Sequence, residues 1–331
     1  MPSWPRRCCR SRWSGHPTPT VPREQRSPLI RLLLAGALVL GSTGAVPSPQ
    51  VRCTVDDPRL TELSGLAVDS SGMWAMADGG RRVEVDRIDP STCAVLERRT
   101  STIDPYDPED LALGPGGALW VGDIGDNDRA RATVAVIALP AQGEATLHRM
   151  TYPDGPHDAE ALLADAVGRP VIVTKDPTGL SGVYRTAAPL AGVGPVPLVR
   201  VGEVRLPSSD TVGGPAGPFG GALVTGAAVS ADRRVVALRS YTDAWLYPVP
   251  DDGDVVAALA GMPVRVPLGG EPQGEAVAFV ADGTLVSGSE GRGGDAGQIR
   301  EVPAAAALAR TAAPASVPAA PVTDDPAGGA A

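Results

Sequence analysis

Three glutamates in this chain stand at the head of the same short pattern. Glu109, Glu160 and Glu275 each open an apolar run, with a turn residue eight positions later and a polar residue closing a β-rich run fourteen positions later. From Glu109 the turn is Gly117 and the end is Asp123. From Glu160 they are Gly168 and Thr174, with Lys175 one further on. From Glu275 they are Gly283 and Ser289, followed by Glu290. Two more frames fit: Ser64 with Gly72 and Asp78, and Thr225 with Arg233 and Arg239. If the frames are structurally equivalent, their starts converge and their ends converge. Like charges brought together must be relieved by a cation, by protonation or by basic partners. Oxygen donors with scarce histidine suit a hard cation such as Ca²⁺. The expected ligands are Glu109, Glu160, Glu275 and Asp123, with Asp126, Asn127 and Asp128 as further donors. The competing arrangement is a network of salt bridges and caps, in which Arg129, Arg131, Lys175 and Arg239 neutralise the acids. The loop Asp123–Asp128 does not have EF-hand spacing. The remaining rim positions are Ser64, Asp78, Asp110, Asp158, Lys175, Thr225, Arg239 and Glu290.

What would bring the frames together is a repeat. Their starts are 45, 51, 65 and 50 residues apart. Each holds two strands joined by a tight turn, and further strands can be read in the intervals. Periods near 40–50 residues with several strands per unit suggest a β-propeller. The expected fold is all-β, with five four-stranded blades and a sixth in the long Glu160–Thr225 interval as the alternative. Gln50–Val55 would supply the missing outer strand of the last blade and so close the ring, leaving no open sheet edge. Gly and Pro, 40 and 34 of the 331 residues, favour many turns over a helical core.

The net charge of −9 is unevenly distributed: residues 1–45 carry seven Arg against one Glu. The rest is strongly acidic, which argues against nucleic acid as a partner. Basic sequence, then the apolar run Leu29–Leu40, then small residues, is the layout of a secretory signal, and the run is too short to span a membrane. The expected organisation is a signal peptide over 1–45, a propeller over 46–303 and a disordered Ala/Pro-rich tail over 304–331, with a single helical turn at Ala304–Arg310. After signal removal two cysteines remain, Cys53 and Cys93. In an exported chain they read as one disulfide, the alternative being two buried thiols. Pro207–Gly221 reads as an insertion or a lid. His157, three residues before Glu160, is a base or ligand on one reading and a loop residue on the other. Trp74, Trp120 and Trp245 fall in strands and suit core packing. No nucleophile elbow, HExxH, P-loop or CxxC pattern is present.

The segments Ser64–Ala67, Glu109–Ala112, Gly122–Arg131, Asp158–Leu162, Val173–Lys175, Val224–Ser230, Leu238–Tyr241 and Gln273–Ala278 together resemble a family of secreted bacterial β-propellers common in actinobacteria. GDIGDN, Gly122–Asn127, is the most specific of these. Ala77–Gly79 is a reduced form of the family's Asn/Asp-rich stretch, and Arg233 replaces its turn glycine. More distantly the chain is similar to the esterase-like-activity-of-phytase propellers and to calcium-dependent lactonase and phosphotriesterase propellers. The latter hold a catalytic metal in the central channel on Glu, Asn and Asp. Two functions follow as expectations. One is an exported, monomeric propeller that binds a small molecule or an extracellular protein at an acidic channel mouth, with structural calcium. The other is a metal-dependent hydrolase of phosphate esters or lactones.

Overall fold

The structure, a computed structural model, describes residues 46–312. The expected signal peptide and residues 313–331 of the expected tail lie outside the described residues. Strand β1 (Gln50–Val55) comes first. A meander of β2 (Leu63–Asp69), β3 (Gly72–Ala77), β4 (Val83–Ile88) and β5 (Val95–Ser101) follows. The second is β6 (Pro108–Leu113), β7 (Leu119–Asp123), β8 (Val134–Leu139) and β9 (Thr146–Thr151). The third is β10 (Ala159–Ala164), β11 (Pro170–Thr174), β12 (Leu180–Thr186) and β13 (Val196–Arg205). The fourth is β14 (Val224–Val229), β15 (Val235–Ser240), β16 (Asp243–Pro248) and β17 (Val264–Pro267). The last is β18 (Gln273–Phe279), β19 (Leu285–Glu290) and β20 (Gly297–Val302). Helix α1 (Val255–Leu259) interrupts the fourth meander and helix α2 (Ala305–Ala312) ends the described chain.

The fold is an all-β propeller built from these antiparallel meanders. β1 pairs with β20 and completes a four-stranded sheet with β19 and β18, as its sequence suggested. The second and third meanders join into one eight-stranded sheet through a parallel pairing of only two residues, Val196 with Met150 and Pro197 with Thr151. The Glu160–Thr225 interval holds β10–β13, a loop and a short 3-10 helix at Gly217–Ala222.

The first strands of the meanders lie side by side. β2 contacts β6, β6 contacts β10, β10 contacts β14, β14 contacts β18, and β18 contacts β2. The core follows from the same order. One buried apolar cluster joins the first and second meanders through Trp74, Val85, Leu119 and Ile137. Another joins the last sheet back to the first meander through Leu63, Ile88, Val286 and Ile299. Alternation along each strand puts apolar side chains on both faces, so each sheet packs against two neighbours. Trp74, Trp120 and Trp245 are buried in these layers, as expected of core residues.

Cys53 and Cys93 form a disulfide with a Cα–Cα distance of 5.6 Å, tying β1 to the turn before β5. The helical turn expected at Ala304–Arg310 is present and longer: α2 spans Ala305–Ala312, and Ala305, Ala306 and Ala309 are buried in the cluster between the fourth and last sheets. Small side chains let that helix sit close to Gly283, a contact that the Ala/Pro-rich composition hides. No helix of the described residues is long and apolar enough to cross a membrane.

Candidate functional site

Every first strand carries a bulge near its start, always at the same place. The pairing register slips between Leu63 and Gly65, Pro108 and Asp110, Ala159 and Ala161, Val224 and Gly226, and Gly274 and Ala276. The five residues stepped over are Ser64, Glu109, Glu160, Thr225 and Glu275, the five frame starts. A bulge leaves one residue out of the ladder and re-aims its side chain. All five are buried, at 6% relative exposure or less.

The bulged side chains meet one another and the frame ends. Ser64 Oγ donates to the Glu109 carbonyl at 2.5 Å and lies 3.5 Å from Glu109 Oε2. Lys175 Nζ donates to Glu160 Oε1, and to the Tyr241 hydroxyl at 2.6 Å. The same ammonium stands 4.9 Å from the Tyr241 ring centroid. Gln273 Nε2 donates to Glu275 Oε1 at 3.0 Å. Glu160 Oε2 and Glu275 Oε2 are buried without a hydrogen-bond partner. Thr225 instead turns its hydroxyl to the Gly274 carbonyl at 2.9 Å. Gly125 matters here because a Cβ at that position would collide with Glu109 Oε1 and the Asp107 carboxylate, so the loop backbone closes directly onto them.

Burial, followed by Glu160, Asp107 and Glu275, pushes the Glu109 carboxyl well above its usual range. Burial and Glu160 do the same to Glu275. Glu160 is pushed up to about 7 by burial, against the pull of Lys175. Burial disfavours the Lys175 ammonium, but Glu160 and Glu275 more than compensate and hold its pKa well above the usual lysine range. At the outer edge burial and neighbouring acids push Glu290 to about 7 and Asp78 to about 6. The mouth therefore holds one ion pair beside two glutamates whose ionisation burial and like charge disfavour. Such a set can accept N–H groups, donate O–H groups and exchange protons with a ligand.

Other expected site residues have different work. Asp123 Oδ1 accepts the Tyr106 and Asp107 amides at 3.1 and 2.9 Å, and Arg131 Nη2 at 2.9 Å. Asp126 accepts the Ala130 and Arg131 amides at 2.9 and 2.8 Å. Asp158 accepts the Asp126 amide at 2.9 Å, and Asn127 is exposed. The GDIGDN block thus organises its own loop. Among the described residues no group of three or more His, Cys, Asp or Glu side chains has the geometry to hold a metal ion. Glu160 and Glu275 each keep a free oxygen, which a cation would favour, but the Lys175 ammonium already supplies the charge at Glu160. The residues do not fit a resident calcium ion.

Arg239, expected on the rim, is fully buried and paired with Glu271, whose other oxygen accepts Ser287 Oγ at 2.6 Å. Only a glycine at 274 leaves space for the Arg239 guanidinium. Asp110 lies one residue deeper than Glu109. Its Oδ2 accepts the Leu162 and Ala227 amides at 2.8 and 3.1 Å, so one carboxyl links β6, β10 and β14. His157 is bonded to Asp154 at 2.9 Å and to the Tyr184 hydroxyl at 3.0 Å, the loop-residue alternative. Asp107, Tyr241 and Gln273 were missed. Asp107 and Gln273 sit two residues from a frame start, and Tyr241 two beyond a frame end, the one signal that marks them.

No family model matches the chain, and no curated protein does. Solved structures resemble it at low identity. A PQQ-bound aldose sugar dehydrogenase from Streptomyces coelicolor aligns at 16% identity over 78% of this chain and 99% of its own, with a TM-score of 0.43. A gluconolactonase from Xanthomonas campestris aligns at 17% identity over 78% of this chain and 87% of its own, also at 0.43. A virginiamycin B lyase from Staphylococcus aureus aligns at 11% identity and a TM-score of 0.38, and the chain spans 66% of its length, just under two thirds. Likeness at this level assigns neither family nor activity.

Proposed function

We propose that this chain is a five-bladed propeller, its ring closed by β1, that acts outside the cytoplasm as a monomer and binds a small cationic ligand at the acidic mouth of its channel. The carrying observation is the five-fold bulge, which brings Glu109, Glu160 and Glu275 together with two buried carboxylate oxygens left unpartnered. An ammonium or guanidinium N–H would satisfy those oxygens and favour ionised over protonated glutamates. The disulfide supports an oxidising compartment.

The test is thermal denaturation of the full chain with butylamine, with butanol as the uncharged control, and with Ca²⁺ against a chelator. Butylamine is expected to raise the melting temperature and butanol to leave it unchanged, with the amine effect lost in Glu275→Gln. Equal shifts from both compounds would remove the cationic reading. A calcium shift reversed by chelator, with phosphoester or lactone turnover abolished by Glu160→Gln, would replace it with the hydrolase.

A further inference from the structure

Beside the mouth lies a cavity of about 410 Å³ between the loop at 58–62 and the loop at 78–83. Two acids stand where the cavity and the mouth meet, Glu62 and Asp78, joined by an Asp78 amide bond to the Glu62 carbonyl at 3.0 Å. The Asp78 carboxyl is half-buried, is raised by burial and by Glu62 and Asp107, and is lowered by Lys175, which places it within the field of the glutamate ring. The lining also carries the opposite charge: Arg59, Arg81, Arg82 and Arg98, with Glu84 and Asp86 among them.

The four guanidiniums are not equally committed. Arg98 spends three nitrogens: Nε and Nη2 on Asp86 at 2.6 and 2.5 Å, and Nη1 on Glu84 at 2.9 Å. Arg59 holds Asp57 with Nε and Nη2. Arg82 approaches Glu84 with Nε at 3.1 Å. Among the described residues, Arg81 has no carboxylate partner. Arg81 and Arg82, both exposed, thus bring the less committed guanidiniums to the lining of the cavity, together with Arg59. A guanidinium fork matches a carboxylate in two-point geometry.

We propose that this cavity is the second half of a ligand site that begins at the glutamate ring, and that its ligand is amphoteric: a cationic group at the ring and a carboxylate on Arg81 and Arg82. The inference rests on the reading of the mouth as a cation site and names the other end of what that site takes. One pocket with acids at the junction and less committed guanidiniums in its lining orients such a molecule in a single direction. It also favours such a molecule over simple amines, which leave the arginines unfilled, and over simple carboxylates, which meet the acids first.

The test is calorimetric titration of the full chain with straight-chain ω-amino carboxylates of increasing length, each against the alkylamine of the same length. At the length that spans the two ends, the amino carboxylate should bind about tenfold tighter than its amine or better, the scale of one charge-assisted pair. The Arg81→Gln, Arg82→Gln double variant, altered only at exposed positions, should bring the two to equal affinity while amine binding persists. Glu275→Gln should weaken both. If amines bind but the carboxylate adds nothing at any length, or the double variant keeps the advantage, the second subsite is wrong and the cation site stands. If neither class binds, the cation site falls and the subsite with it.

Discussion

Lys175 is the only lysine in the chain, and it sits on Glu160 with its side chain largely buried. That makes it a clean reporter of the mouth. An amine-reactive ester near neutral pH should modify it slowly, because the ammonium is held in its charged form. Glu160→Gln removes the nearest carboxylate and should speed modification by about tenfold for each pH unit by which the amine's pKa falls. Peptide mass mapping of the single site reads the rate. Unchanged reactivity would mean that Glu160 does not hold the ammonium.

Asp110 gives a second prediction, in stability. Burial pushes its carboxyl to about 8 from 3.8, although three backbone amides pull the other way. The folded pKa is raised, so this group's contribution is complete below the unfolded value and is lost as pH rises from about 4 through about 8. The melting temperature should fall across that window, and Asp110→Asn, which cannot ionise, should fall less steeply. In a domain of this size each kcal/mol corresponds to about 2–4 °C. Parallel profiles would show that Asp110 does not titrate there. The residue's place was partly legible beforehand: the equivalent positions are Gly65, Ala161, Gly226 and Ala276, all small, which leaves room for one carboxyl among them.

The elements were more legible than the side chains they carry. Strand patterns and turn glycines marked the strands of the described residues to within a few residues, because alternation and turn chemistry are local. The acidic loop was not readable in the same way. Asp123 and Asp126 have the composition of metal ligands, yet carboxylates that accept backbone amides have the same composition. Arg239 shares its frame position with the neighbourhood of Lys175, but its direction is set by Glu271 and Gly274, neither of which belongs to its own frame. The disulfide was readable because only two cysteines follow the apolar run Leu29–Leu40. It ties β1 to the first meander across a separation of 40 residues. Replacing both cysteines with serine should cost about 2–4 kcal/mol of stability, measured by denaturant unfolding of oxidised protein. A loss near zero would mean that the β1–β20 pairing holds the end of the chain without it.

At the scale of the whole molecule, a repeat turns acids far apart in sequence into neighbours. Adjacent sheets bury apolar side chains on both faces, which fixes the order of the first strands, and the bulges then turn one side chain from each toward a common centre. Glu109, Glu160 and Glu275 are drawn together by packing they do not themselves favour, and the cost appears as carboxyls whose ionisation is disfavoured. A cationic ligand reverses that cost by ionising them. The direct measurement is titration calorimetry with butylamine near pH 7 in two buffers of different ionisation heat, which counts protons exchanged on binding. The account predicts release of about one proton per ligand, lost in Glu275→Gln as binding weakens. Binding with no proton released, or release that persists in Glu275→Gln, would contradict it.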